Sequence, residues 1–348
     1  MTPNSTDRVF AARVFREEAE REGFARSGIA RAETPPGFDR YRRWIAEGHH
    51  AGMRYLEESA SVRESPESLL PGARSVLCLA AAHAPEPCVG RDGSRIARYA
   101  AGPDYHGTLR ERATRVAERL AARVAVPVAW RVCVDSTPLA ERSFAAAAGL
   151  GWVGKNGCLI DAELGSFFLL AEILTDLDLP PDDPVAERCG SCVRCLEACP
   201  TGAFIEPGLL DANRCLAYWT IEHRGAIPDA VKDFLGERVF GCDDCQDACP
   251  WNASLGSGRT AAVPGREDWI AMGRGEFRRA FGATALNRAG WRGMQRNAAL
   301  SAGCEGDAGL SGRLKSAAGC GDRGLSDASR WALSRLPSFE SPGAESGG

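Results

Sequence analysis

Eight cysteines fall between residues 189 and 249, and their spacing is that of thiolates grouped around metal. Cys189, Cys192, Cys195 and Cys199 form the run C-x2-C-x2-C-x3-C-P, closed by Pro200; this spacing ligates iron–sulfur clusters. Cys242, Cys245 and Cys249 repeat its second half, with Pro250 in the place of Pro200 and Val239 where a first cysteine would stand. Cys215, between the runs, makes up the deficit. Two 4Fe–4S clusters need eight thiolates, and the window holds eight. Zinc also takes four thiolates, and disulfides also consume cysteines in pairs. Three thiolates so closely spaced suit the face of a cubane better than a tetrahedral ion.

In two-cluster ferredoxins the fourth cysteine of each run crosses to the other cluster. Cys189, Cys192, Cys195 and Cys249 are therefore expected to hold one cluster, and Cys199, Cys215, Cys242 and Cys245 the other. The remaining six cysteines (Cys78, Cys88, Cys133, Cys158, Cys304 and Cys320) read as small buried apolar residues.

Three further stretches carry candidate chemistry. Asp135 ends an apolar run and precedes Ser136-Thr137-Pro138. The spacing favours an Asx turn or helix cap, with Pro138 at the first helical position. A carboxyl at the C-terminal end of a strand is also where open α/β sheets bind ligands, and expelling oxygen as water needs a proton donor. In Arg98–His106 aromatics, a carboxylate and an imidazole mix, and His106 reads as a satisfied hydrogen-bonding residue. The D-x-H at 104–106 matches the start of the corrinoid motif D-x-H-x-x-G, but Leu109 replaces its glycine, so a histidine-ligated corrinoid is not supported. Arg288, Arg292 and Arg296 are four residues apart and would line one helix face. From Arg274 to Arg296 six arginines accompany a single acid, Glu276; a solvated face and a phosphate-binding face fit equally.

Gly149-Leu150-Gly151-Trp152-Val153-Gly154-Lys155-Asn156 matches G-x-G-x-x-G and nearly matches the phosphate loop. Both motifs need a strand before the loop and a helix after it. Here the order is reversed, and Asn156 replaces the hydroxyl that would hold magnesium. Gly149 reads as a helix C-cap.

The elements that position these residues are mixed. A helix is expected over 6–26 and another, carrying Tyr41, Trp44 and Ile45, after Pro35-Pro36. A buried strand follows at 75–80, a helix at 108–123, a strand at 126–134, a helix from Pro138 to Ala148, and short strands near 159–160 and 167–174. Residues 1–180 thus form an α/β domain, and Pro180–Pro184 links it to a cluster domain at 181–255. Residues 256–336 read as short helices of repeat type, and 337–348 as a disordered tail. At 348 residues and 44% hydrophobic, two or three domains are natural. Fourteen cysteines imply a disulfide scaffold only in a short secreted chain. The start shows no signal peptide, and no apolar run reaches the ~18 residues of a membrane span; a reducing cytoplasmic setting without membrane contact is expected. A net charge of −4 argues against a general nucleic-acid binder and leaves room only for a local basic patch.

Together the motifs resemble those of the epoxyqueuosine reductase family. The resemblance covers most of residues 40–300 and rests on M-R-Y-L-E (53–57), L-L-P-G-A-R-S-V (69–76), R-Y-A-x-G-x-D-Y-H (98–106) and V-D-S-T-P-L-A-E-R (134–142). G-L-G-W-V-G-K-N (149–156), T-I-E-H-R-G-x-I-P (220–228), F-G-C-D-D-C-Q-D-A-C-P-W-N (240–252) and Q-R-N-A-A-L (295–300) complete it. What it implies is an α/β (α+β nitroreductase-like) cofactor domain, similar to that of corrinoid-dependent reductive dehalogenases. A two-cluster ferredoxin-like domain and a small all-α HEAT-like repeat C-terminus follow it. It further implies two 4Fe–4S clusters and a base-off cobalamin without a protein histidine on cobalt. The reaction would convert epoxyqueuosine to queuosine at the tRNA wobble position, with Asp135 as proton donor.

By the same resemblance, Arg63, Tyr105, Asp135, Lys155, Thr220 and the Cys242-Asp243 backbone would border the corrinoid. Arg224, Arg288, Arg292, Arg296 and Asn297 would touch the anticodon stem-loop. Electrons would come from a low-potential donor such as a flavodoxin or ferredoxin, and the chain would act as a monomer. The family's G-N after the Q-R-N helix reads Ala302-Gly303-Cys304 here, followed by a Gly-rich insertion. The rival readings are a corrinoid reductase of a small molecule such as an organohalide, and a ferredoxin-type electron carrier.

Overall fold

In a computed structural model of the chain, residues 5–83, 86–253, 255 and 261–337 are described. The expected tail at 337–348 lies outside them, apart from Pro337. The chain forms two compact units whose segments alternate in sequence. The first takes Met1–Glu86, Arg98–Cys215 and Asp243–Arg259, and the second Pro87–Ala97, Leu216–Cys242 and Thr260–Gly348. No helix among the described residues is long and apolar enough to cross a membrane.

The first unit is built on a four-stranded antiparallel sheet, with spatial order Arg26–Arg31, Ser75–Ala82, Phe168–Thr175 and Trp130–Cys133. Successive strand residues point to opposite faces, and both faces are covered. Leu77, Leu79 and Ile173 pack with Phe15 of helix Ser5–Arg21 and with Val116 and Leu120 of helix Tyr105–Arg123. Val76, Cys78, Cys133 and Leu174 pack on the other face against Phe144 of helix Glu141–Ala147. Burial on both faces explains the unbroken apolar run at 75–80, where a half-exposed strand would alternate. Arg26–Arg31 is a strand that the sequence reading left unassigned beyond residue 26, where its first helix was expected to end. The strand expected at 126–134 is shorter, because Pro127 has no N–H for the ladder. The Pro180–Pro184 stretch is no free linker: Ile29 and Asp182 exchange two hydrogen bonds of 2.8 Å each, the Ile29 N–H donating to Oδ2 and the Asp182 N–H donating to the Ile29 carbonyl.

The second unit carries a small sheet in the order Arg238–Phe240, Arg95–Ile96, Cys88–Gly90, Ala261–Val263. The strand Arg238–Phe240 pairs in parallel with Arg95–Ile96. That long-range pairing draws residues 216–242 out of the segment expected to form a separate cluster domain at 181–255. Short helices follow, as the composition suggests: Arg266–Ala271, Arg274–Phe281, Gly290–Cys304, Ser311–Ala318 and Arg323–Arg335. Helix Gly290–Cys304 is buried continuously from Met294 to Gly303. A Cβ on Gly303 would stand 2.7 Å from the Ala332 Cα, so the glycine lets two helices approach closely.

Candidate active site and cluster segment

Asp135 lies just past the strand Trp130–Cys133 with φ 46, a left-handed backbone that few non-glycine residues adopt. Helix Glu141–Ala147 begins only after a turn through 135–140, with Ala140 as its cap. Neither the expected cap at Asp135 nor Pro138 at the first helical position is formed. The Asp135 N–H instead donates to Glu141 Oε1 (2.5 Å), and its exposed carboxylate receives His106 Nε2 at 2.7 Å. His106 opens helix Tyr105–Arg123; Asp104 caps that helix by accepting from the His106 N–H, and its Oδ1 lies 2.5 Å from His106 Nδ1. The hydrogen bond to Asp135, assisted by Asp104 and opposed by desolvation, raises His106 to about 9. The ring is thus an imidazolium that donates from both nitrogens. His106 is the satisfied hydrogen-bonding residue that the sequence suggests, but its partnership with Asp135 was not foreseen. Its signal was D-x-H at a helix start, which a capping aspartate turns into a buttressed imidazole.

Around this pair, Tyr105 stacks on His106 (ring centroids 4.2 Å apart) and meets Tyr99 edge-on at 6.2 Å. Burial, with the negative charge of Asp135, pushes its hydroxyl far up. Arg63 donates to Ser59 Oγ at 3.1 Å and to the Leu139 carbonyl at 3.2 Å, which fixes it on the turn that carries Asp135. Burial and the nearby Asp135 charge raise Glu141 to about 7. Arg63, Tyr105 and Asp135 are therefore brought together. Asp243, also in this unit, is buried and accepts from the Arg98 N–H (2.9 Å) and guanidinium (3.1 Å). Thr220, in the second unit, is fully buried; its hydroxyl donates to the Leu216 carbonyl and accepts from the Gly241 N–H.

The glycine-rich stretch is no nucleotide loop. Helix Glu141–Ala147 precedes it, Gly149 (φ 76) follows the helix as its C-terminal glycine, and the hairpin Trp152–Val153 with Leu159–Ile160 comes after. Its polar end serves the cysteine runs. Lys155 Nζ donates to the carbonyls of Gly190 (2.6 Å) and Cys192 (3.0 Å), and Asn156 Nδ2 to that of Cys245 (3.3 Å).

The cysteine runs repeat in structure as in sequence. Short helices Arg194–Glu197 and Asp244–Asp247 both end on an alanine with φ −73 and ψ −11. Burial pushes up the thiols of Cys195 and Cys249. Cys189 and Cys192 add to both shifts, and Cys249 adds to that of Cys195, so these four lie within electrostatic reach of one another. Trp152, Ile160 and Trp251 pack around Cys249 and Cys189. Among the described residues no three His, Cys, Asp or Glu side chains close in on a single metal ion. The set Cys199, Cys215, Cys242 and Cys245 rests on sequence spacing.

The arginines do not share a face. Arg288 lies in a 3-10 turn, Ala285–Arg288, ahead of helix Gly290–Cys304, and pairs with Glu222 at 2.7 and 2.9 Å. Arg292 is half-buried, over the Trp291 ring at 3.9 Å, and donates to Gln295 Oε1. Arg296 is 3% exposed and donates to the carbonyls of Trp219, His223 and Gly225. Asn297 is fully buried and donates to Thr220 and Val239. Tyr218–Glu222 is a π-helical turn, and Arg296 and Asn297 satisfy carbonyls in and beside it. Arg296 and Asn297 are therefore interior supports, contrary to the expectation of direct tRNA contact. Burial pulls Arg296 down to about 10. Arg224 donates to the Ile221, Glu222 and Arg288 carbonyls and keeps an exposed surface. A cavity of about 590 Å³ lies in this unit, lined by Glu267, Arg292, Gln295 and Arg313 among others; none of the residues expected at the cofactor line it.

Two family models match the chain: epoxyqueuosine reductase QueG, DUF1730, over residues 63–136, and a 4Fe–4S double cluster binding domain over residues 188–252. Epoxyqueuosine reductase of Xanthomonas campestris pv. campestris is 40% identical over 316 residues, covering 86% of this chain and 88% of that protein. A crystal structure of epoxyqueuosine reductase with a tRNA-Tyr epoxyqueuosine-modified stem loop aligns with TM-score 0.84 at 30% identity, over 94% of this chain and 90% of that one. The Bacillus subtilis enzyme with its catalytic aspartate loop swung out of the active site aligns with TM-score 0.84 at 30% identity, over 95% and 91%.

Proposed function

The chain belongs to the epoxyqueuosine reductase family of oxidoreductases and carries a double 4Fe–4S cluster-binding domain, and on that footing we propose that it reduces epoxyqueuosine to queuosine at the tRNA wobble position. The reaction takes an epoxide, two electrons and two protons to an alkene and water. The observation that carries the reading is Asp135, a carboxyl on a left-handed turn held by an imidazolium. A 30% identical relative whose catalytic loop is named for an aspartate supports it. Asp135 delivers to the departing oxygen the proton it shares with His106 Nε2, and the imidazole is left neutral.

Two 4Fe–4S clusters would relay single electrons when bound; Cys189, Cys192, Cys195 and Cys249 would hold one, and Cys199, Cys215, Cys242 and Cys245 the other. The proposed cofactor is cobalamin, which when bound would supply a strongly reducing metal centre for the epoxide. The imidazole beside Asp135 has both nitrogens engaged by carboxylates, which suits a corrinoid without a protein histidine on cobalt. Arg63, Tyr105 and Asp135 would hold it, with Lys155, Asp243 and the Cys242 backbone as further neighbours. Thr220 would steady the Gly241 backbone next to Cys242. The helices from Arg266 onward we read as HEAT-like, and the first unit as nitroreductase-like. The solved relative with a bound stem loop supports an anticodon stem-loop as partner, whose unstacked bases are open to an enzyme. Arg224, Arg288 and Arg292 are the proposed contacts. A flavodoxin- or ferredoxin-like donor and a monomeric enzyme complete the proposal.

The test is anaerobic reconstitution with iron, sulfide and cobalamin, metal analysis, and incubation with an epoxyqueuosine-bearing stem-loop under a low-potential reductant. We expect about eight irons and one cobalt per chain, and a nucleoside lighter by one oxygen. Asp135→Asn should retain both metals and lose turnover by about a hundred-fold or more. Iron without cobalt or turnover would leave an electron carrier. Cobalt with turnover of an organohalide alone would leave a small-molecule reductase.

A further inference from the structure

Glu172 sits at the middle of the central strand Phe168–Thr175 with no solvent exposure. It pairs in register with Cys78 on one side and Cys133 on the other. Its side chain shares the face of Leu170 and Leu174, the face covered by helix Glu141–Ala147. Among the described residues no N–H or O–H group reaches either of its carboxyl oxygens. The carboxyl instead meets that of Glu141 within hydrogen-bond range. Two carboxylates cannot donate to each other, and a bare carboxylate among apolar side chains is very costly. A proton on one of them resolves both difficulties, as in other like-charge carboxyl pairs.

The surroundings agree with this. Facing Glu172 are the Cys78 and Cys133 thiols, both pushed up by burial and by Glu172 itself. Glu141 feels Asp135, Glu172 and the Arg63 guanidinium, and Tyr105 lies within reach of both Asp135 and Glu141. Arg131 and Arg110 act on Cys133, and Asp182 on Cys78. Glu172 is pushed well above the usual carboxyl range, by burial first and then by Glu141, whereas Glu141 comes to about 7.

We propose that Glu141 and Glu172 form a buried proton reserve for Asp135: protonated Glu141 resupplies Asp135, and protonated Glu172 then donates a hydrogen bond to the Glu141 carboxylate. The inference rests on the reading of Asp135 as the donor. Asp135 delivers the proton shared with His106 Nε2 to the leaving oxygen, which leaves its carboxylate beside a neutral imidazole. Glu141, whose Oε1 accepts the Asp135 N–H at 2.5 Å, passes its own proton through Asp135 to the neutral imidazole and restores the imidazolium. The pair is left with one proton and one negative charge, and no electron moves in this transfer. Both residues act through Asp135, so they are positioning groups and proton carriers that do not touch substrate. The reaction's demand for two protons, at a carboxyl covered when a nucleoside is bound, gives such a reserve its use.

Infrared spectroscopy of the protein alone reads the pair, because a protonated carboxyl has a carbonyl stretch that a carboxylate lacks. At about pH 8, a protonated-carboxyl band is expected in the wild type and lost in Glu172→Gln, which keeps shape and neutrality and should fold. A second band should grow as pH falls through about 7, and be absent in Glu141→Gln. With the reconstituted enzyme, Glu141→Gln should lower kcat by up to about a hundred-fold and remove the fall in turnover as pH rises through about 7. No band removed by Glu172→Gln, or wild-type kcat and pH profile in Glu141→Gln, would overturn the reserve. Full turnover in Asp135→Asn would overturn the donor reading and the reserve role together, while the infrared bands would still report the shared proton.

Discussion

His106 shows how a single imidazole can set the character of a site. Its two ring nitrogens bridge Asp104 and Asp135, and pairing raises it to about 9 from an ordinary 6.5. A histidine whose folded pKa is raised stabilises the fold fully below its unfolded value and loses that contribution as pH rises through the folded one. The window is therefore about 6.5 to 9. Since His106 and Asp135 side chains are 31% and 56% exposed, solvent screening keeps the effect small. His106→Gln should melt below the wild type near pH 6, with the gap closing as pH passes about 9; a gap constant with pH would rule out an imidazolium at this position. The cysteine spacing needed no such context, because cluster ligation fixes intervals along the chain. The role of His106 did need it, since D-x-H says nothing about a carboxylate 29 residues away. Glu172 was invisible for the same reason: only the fold tells which residue of an apolar strand has a second carboxyl above it.

Helix Gly290–Cys304 illustrates the limit of periodicity. The four-residue spacing of Arg292 and Arg296 does place them near each other, but it cannot say which side of a helix is wet when most of the helix is interior. Arg296 serves three carbonyls around the π-helical turn Tyr218–Glu222, and Asn297 two more in and beyond it. Losing a buried cation that satisfies several acceptors leaves those acceptors unpaired. Arg296→Leu should lower unfolding stability by about 3 kcal/mol, whereas Arg288→Leu, which removes an exposed ion pair with Glu222, should cost less than about 1 kcal/mol. Urea unfolding of the full chain measures both. Equal stability of the two variants would return Arg296 to the nucleic-acid surface. The α/β character was legible because buried strands and amphipathic helices leave distinct patterns. The strand Arg26–Arg31 was not, for R-S-G-I-A-R has few strand-forming side chains and is held by its neighbour Ser75–Ala82.

Over the whole molecule, segments close in sequence do not stay together: the strand Arg95–Ile96 finds its partner at Arg238–Phe240, and a reading made segment by segment cannot see such a pairing. Charge behaves likewise. A chain of net charge −4 binds a polyanion only through local cations that face solvent, and the structure reduces the five proposed contact residues to Arg224, Arg288 and Arg292. Each phosphate neutralised releases counterions, so log K falls with log salt by about 0.7 per contact on single-stranded nucleic acid and about 0.9 on duplex. Arg288→Gln and Arg292→Gln should each weaken stem-loop binding at low salt and flatten that slope by about 0.7 to 0.9, with the effects adding in the double variant. Filter-binding or anisotropy titrations across a salt series supply the slopes. If both variants keep the wild-type slope, these arginines do not touch phosphate, and the anionic partner is held elsewhere on the chain.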